Sequence, residues 1–145
     1  MPAGLLSGYR VLDLGSGISA PWCTKILADY GAEVIKVETP GLGDATRRMG
    51  PFAGDDPGPE KSLTFLYLNT NKKSVTVDPT SVNGRKLFYR MVADADVLVE
   101  NYLQLNLRTL DWTTRPCRKG NPGLVVTSIA PFGHTGPYRD YQERT

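Results

Sequence analysis

VLDLGSGISAPWCTKILADYGAEVIKVE, residues 11–38, reads as strand, glycine loop, helix and strand without interruption. Val11, Leu12 and Leu14 form a short apolar run that stops at Gly15-Ser16-Gly17. Cys23, Ile26, Leu27 and Tyr30 then recur at i, i+3, i+4 and i+7, the spacing of one helical face, which makes Cys23 a core residue. Pro21 suits a first turn, where its missing N–H leaves nothing unsatisfied. Ser19 lies where a cap is wanted, and Gly31 follows the last periodic residue as a C-terminal stop. Val34, Ile35 and Val37 predict a second buried strand, closed by Pro40-Gly41. The whole is a βαβ unit.

Working outward, residues 39–61 hold five glycines and four prolines, too broken for regular structure and too long for an ordinary connection. Such a loop is either functional or a tolerated surface insertion. Residues 62–69 are apolar and fit helix or strand. Ser74 to Asp78 alternates as a strand. Leu87, Phe88, Met91 and Val92 mark a second helical face, with Ser81 and Asn83 near its cap. Val97-Leu98-Val99 predicts a fourth strand ending at Glu100-Asn101-Tyr102, and Leu103, Leu107 and Leu110 share a helical face that Pro116 keeps short. After the turn signal Asn121-Pro122-Gly123, Leu124 to Ile129 reads as a fifth strand. Strands separated by helical patterns predict an α/β fold, an open Rossmann-like parallel sheet of about five strands with flanking helices. Residues 130–145 add no apolar element, which suggests an incomplete domain of a larger protein.

A chain of 145 residues can bury a core of its own. Seventeen Lys and Arg stand against fifteen Asp and Glu, a net charge of +2, so no bulk field argues for nucleic acid or an anionic membrane, and any anion site must be local. Cys23 and Cys117 have neither CxxC spacing nor a secretory context, the pattern of reduced thiols in a cytoplasmic protein. There is no apolar run of membrane-spanning length and no leader-like N-terminus.

In an open parallel sheet, ligands sit beyond the carboxyl ends of the strands, near the point where strand order reverses. Those ends are residues 15–20, Glu38-Thr39, Val77 to Thr80, Asn101 to Leu103, and Ala130 to Gly133. The first is glycine-rich and enters a helix N-terminus, whose N–H groups and dipole suit a phosphate or carboxylate. Residues 15–20 fit GxGxxA, and Glu38, twenty-three positions after Gly15, stands where a dinucleotide fold keeps its ribose-binding acid. VLDLGSG followed by an acid, Glu38, at the end of the second strand equally resembles the first motif of S-adenosylmethionine-dependent methyltransferases, and the glycines also suit a plain tight turn. The basic pairs Arg47-Arg48, Lys72-Lys73 and Arg118-Lys119 fit phosphate contacts or solvated surface. Asp13 fits a cap on the adjacent loop. His134, the single histidine, has no partner at metal-ligand spacing and no support as part of a Ser-His-Asp triad, and no metal is expected.

Several segments together resemble the type III CoA-transferases, which include formyl-CoA transferase, carnitine CoA-transferase and α-methylacyl-CoA racemase. They are GYRVLDLGSGISAPWCTKILADYGAEVIKVETPGLGD, LNTNKKSVTVD, ADADVLVENY and NPGLVVTSIAPFGHTGPYRDY, in the family's order and spacing over nearly the whole chain. The resemblance implies transfer of CoA between carboxylic acids through acyl-aspartyl and aspartyl-CoA thioester states, with CoA or acyl-CoA as substrate. A carboxylate nucleophile splits one unfavourable exchange into two nearly isoenergetic steps. It places that aspartate beyond Thr145, so the chain is expected to be the N-terminal CoA-binding part and inactive alone. An interlocked homodimer is also implied.

By motif, the CoA contacts fall on Ile18 and Ser19, on Thr39, and on Val77, Asp78 and Thr80. Others fall on Asn101, Tyr102 and Leu103, and on Tyr141 and Gln142 with the rest of the tail to Arg144. Three departures stand out. The family's ENFRPGTLERLG is replaced by ENYLQLNLRTLD, which puts Thr109 at the phosphate-binding arginine position with Arg108 beside it. Thr39 takes the place of an adenine-stacking arginine. Pro116 interrupts the helix expected before Asn121. The readings in contention are therefore a CoA-transferase or racemase part, a methyltransferase, and a non-catalytic fragment or assembly module.

Overall fold

The structure, a computed structural model, describes residues 4–101, 117, 119–139 and 141. Its elements run β1 (Arg10–Asp13), α1 (Ser19–Asp29), β2 (Glu33–Glu38), two 3-10 turns (Ala45–Arg48 and Ala53–Asp55), α2 (Leu63–Leu68), β3 (Lys73–Thr76), α3 (Val82–Ala93), β4 (Val97–Glu100) and β5 (Val125–Ser128). All strand pairs are parallel, in the order β3-β2-β1-β4-β5. Leu12 at the centre lies opposite Ile35 on one side and Leu98 on the other. The α/β fold expected from the sequence is the one found. The chain leaves β1 toward β2 and β3, then returns to the opposite side of β1 as β4, so the strand order reverses between β1 and β4.

Period-two alternation sends successive residues of each strand into different layers. Leu12 and Leu98 join Phe88 and Val92 of α3, with Val37, Val77 and Leu124, in one core. Val11, Val34 and Val99 join Ala20 and Ala28 of α1 in the other. Cys117 is fully buried in the first, and burial pushes its thiol up to about 11.

The first helix departs from its expected orientation. Its buried residues are Ala20, Pro21, Thr24 and Ala28, whereas Ile26 is 41% and Tyr30 55% exposed. Cys23 is only half-buried and packs at the edge of the core. Small side chains at i, i+4 and i+8 let the helix lie close on the sheet, and the large apolar residues are turned to its flank. The approach is tight enough that a Cβ on Gly15 would stand 2.2 Å from that of Ala20. Ser19 is the first helical residue, and the cap position falls to Ile18, which makes no side-chain capping bond.

Elsewhere the local signals act as their chemistry dictates. Gly31 takes φ +101° after the end of α1. Ser81 accepts from the Gly84 amide at 3.0 Å and caps α3. The ambiguous stretch is helical, capped by Ser62, whose Oγ accepts from the Phe65 amide at 3.1 Å. The long loop is more regular than its composition suggests. Asp44 accepts from the Thr46 amide at 2.7 Å and starts a 3-10 turn. The helical face of Leu103, Leu107 and Leu110 lies outside the described residues.

Candidate functional site

The reversal point brings together residues 15–19, which follow β1, and Asn101, which follows β4. Each turn of the glycine loop is tied by a side chain. The Gly15 amide donates to Asp13 Oδ1 at 2.9 Å, the Ser16 amide to Asn101 Oδ1 at 2.9 Å and the Gly17 amide to Asp44 Oδ1 at 3.3 Å. Asp13 thus caps the loop as its sequence position suggests. Asn101 Nδ2 also donates to the Ser16 carbonyl at 2.7 Å and to Ser19 Oγ at 3.0 Å, so one amide side chain braces both ends of the loop. Gly17 holds φ +77°, a conformation that glycine reaches without steric cost.

Beneath the loop lies a buried charged chain. Lys36 Nζ donates to the Gly15 carbonyl at 2.9 Å and sits 2.7 Å from Asp44 Oδ2 and 3.6 Å from Asp13 Oδ2. Lys72 Nζ reaches Asp13 Oδ2 at 2.9 Å, the Pro21 carbonyl at 2.8 Å and Asn69 Oδ1 at 2.9 Å. The side chains of Asp13, Lys36, Asp44 and Lys72 are all at most 2% exposed. Burial would raise the Asp44 carboxyl, but the Lys36 ammonium outweighs it and holds the group below the usual range. Burial lowers Lys72, with Asp13 opposing.

Two expectations are corrected here. Lys72 is neither solvated surface nor a phosphate ligand, because its charge is spent inside the fold. Glu38 does not wait for a ribose. Arg47 grips it through Nε at 2.7 Å and Nη2 at 2.9 Å, while Ser74 Oγ at 2.7 Å and the Asp44 amide at 2.9 Å fill its remaining lone pairs. The guanidinium holds this carboxyl down at about 2. Arg47 is therefore committed, and Lys73 pairs with Glu33 at 2.6 Å. His134 also has a partner that sequence spacing does not reveal. Its Nε2 lies 2.6 Å from Ser128 Oγ, whose hydroxyl donates to Glu100. That order puts serine between the acid and the imidazole, which is not the arrangement of a nucleophilic triad.

The expected contact residues fall as follows. Ile18, 58% exposed, and Ser19 stand on the exposed side of the loop, and Ile18 also borders a shallow apolar groove of about 420 Å³ with Trp22, Pro51, Leu63 and Tyr67. Thr39 is exposed beyond β2. The Val77 side chain belongs to the core. Asp78 folds back on Thr80, accepting from its amide at 2.9 Å and its hydroxyl at 2.6 Å. Tyr141 is 59% exposed and meets Tyr138 edge-on at 5.2 Å. Tyr102, Leu103, Arg108 and Gln142 lie outside the described residues. Lys36 and Asp44, which reasoning from the sequence passed over, had a signal: a lysine inside the apolar run Val34 to Val37, and the aspartate that opens a turn in the long loop.

A five-stranded parallel sheet with flanking helices and a braced loop at its reversal point defines a Rossmann-like α/β unit. The model of CoA-transferase family III matches residues 6–143, and the chain belongs to that family. It is 39% identical over 139 residues to the succinyl-CoA–D-citramalate CoA-transferase of Chloroflexus aurantiacus, covering 96% of this chain and 34% of that protein. With the formyl-CoA:oxalate CoA-transferase of Afipia carboxidovorans it shares 41% identity over 138 residues, 95% of this chain and 31% of the other. The crystal structure of a CAIB/BAIF family protein from Brucella suis superposes with a TM-score of 0.85 at 37% identity, over 95% of this chain and 36% of that one. The chain thus spans about a third of the length of these relatives. No helix among the described residues is long and apolar enough to cross a membrane.

Proposed function

We propose that this chain supplies the coenzyme-binding part of an enzyme that moves CoA between carboxylic acids. The observation that carries the reading is the Gly15–Ser19 loop, braced by Asn101 at the strand-order reversal, the point where a parallel sheet receives its ligand. Ile18 and Ser19 on its exposed side are the positions that the family resemblance assigns to CoA. Thr39, Val77 to Thr80, Asn101 and Tyr141 lie at the ends of other strands or in the tail, with Tyr102, Leu103, Arg108 and Gln142 as further contacts. By the family resemblance the covalent steps belong to an aspartate outside these residues: its carboxylate attacks the thioester carbonyl and CoA leaves as thiolate, and the thiolate attacks the aspartyl carbonyl as the first acid departs. The acceptor carboxylate then attacks this aspartyl thioester and expels the thiolate again, and the thiolate takes the acceptor acyl group and frees the aspartate.

The methyltransferase reading loses its second feature, since Glu38 is held by Arg47, Ser74 and the Asp44 amide. A second copy of the chain is the proposed partner. Exposed Trp22, Ile26 and Tyr30 of α1 beside Leu66 and Tyr67 of α2 support an apolar contact there. The test of the ligand assignment is Ser19→Trp. Because Ser19 is exposed, the indole leaves the core intact and covers the exposed side of the loop, at the loss of the single bond from Asn101 Nδ2 to Ser19 Oγ. CoA affinity is expected to fall about tenfold or more, on the scale of a lost binding contact, at an unchanged melting temperature. Unchanged affinity puts the ligand elsewhere.

A further inference from the structure

We propose that Lys36 and Asp44, backed by Asp13 and Lys72, are positioning residues that fix the Gly15–Ser19 loop in its ligand-accepting shape and, together with Asn101, close the amides of Gly15, Ser16 and Gly17 to anions. Each charge in the chain ends on a backbone group of the loop or of the turn after it. Lys36 ends on the Gly15 carbonyl, Asp13 on the Gly15 amide, Asp44 on the Gly17 amide and Lys72 on the Pro21 carbonyl. Two carboxylates alternate with two ammonium groups, so the assembly is neutral although it has left water. Stability alone does not call for such a device, because well-packed apolar residues replace buried ion pairs at little or no cost. What an apolar replacement cannot do is point donors and acceptors at successive backbone groups of one loop.

The chemical consequence concerns the ligand. An open glycine loop offers its amides to a diphosphate. Here the Gly15, Ser16 and Gly17 amides are taken by side-chain oxygens, two of them from carboxylates, and an anion approaching these three residues meets filled donors. The Gly15–Gly17 stretch is therefore shaped for an uncharged part of its ligand, and the phosphates are held by other parts of the site. This rests on the CoA reading above.

The test compares wild type with Lys36→Met/Asp44→Asn, a double variant that removes both charges together and leaves Asp13 paired with Lys72. Asp44→Asn alone is the milder second variant, keeping an acceptor for the Thr46 amide. In the folded double variant, exchange of the Gly15 and Gly17 amides is expected to rise about tenfold or more. The dissociation constant for CoA is expected to rise by roughly the same factor, the cost of lost preorganisation. Asp44→Asn is expected to shift both in the same direction by less. Loop exchange and CoA affinity within about twofold of wild type, in variants that differ only in melting temperature, would overturn the proposal and leave the network a plain stability element. If wild type takes up no CoA, the CoA reading falls by itself, and the exchange result still decides whether these charges hold the loop.

Discussion

Glu38 meets four donors at the end of β2, and its environment fixes a pH dependence. Arg47 holds its carboxyl at about 2, with burial opposing and Ser74 and the Asp44 amide assisting. The folded value lies below that of an unfolded glutamate, near 4.3. The associated stability is therefore complete above the unfolded value and is lost as pH falls from there toward 2. For a carboxylate only 5% exposed, a shift of this size corresponds to roughly 2 to 3 kcal/mol. Glu33 and Asp44 are shifted in the same direction, so the measurement is the difference between wild type and Glu38→Gln. Urea midpoints at pH 7 are expected to separate the two proteins, and the gap is expected to shrink below about pH 4 and to close near pH 2. A gap that persists at low pH would mean that the Arg47 contact contributes nothing to stability.

Among the elements, α3 depends on one glycine. Gly84 sits in its first turn beneath Ser81, and a Cβ there would stand 1.8 Å from the Asp78 carbonyl oxygen, a backbone atom that cannot swing away. Gly84→Ala, ordinarily helix-favouring, is expected to destabilise by roughly 2 kcal/mol or more through that overlap. A rise in melting temperature would show that the turn from β3 into α3 relaxes freely. The strands and the buried side of α3 were legible because their apolar residues, Phe88 and Val92 in the helix, keep the period of the element that buries them, whereas Leu87, expected on the same face, is 50% exposed. The first helix was legible as a helix but not in its orientation. Periodicity weighs Ile26 and Tyr30 as core, whereas contact with the sheet selects Ala20, Thr24 and Ala28 for their size. The candidate site divides in the same way. Its place at the strand ends follows from topology, and Asp13 capped the loop as expected. The partners Asn101, Asp44 and Lys72 stand 85, 27 and 59 residues from the atoms they hold, and no local pattern encodes such pairings.

At the scale of the whole molecule, the parallel sheet gathers loops from distant parts of the chain at one edge, and the strand order puts the tightest of them at the reversal point. The chain belongs to CoA-transferase family III, and under the proposed function the braced loop is where CoA lies. Calorimetric titration of the protein with CoA, and with S-adenosylmethionine as control, tests that joint claim most directly. Saturable heat with CoA and none with the control is the predicted result. A response to S-adenosylmethionine alone, or to neither ligand, would contradict it.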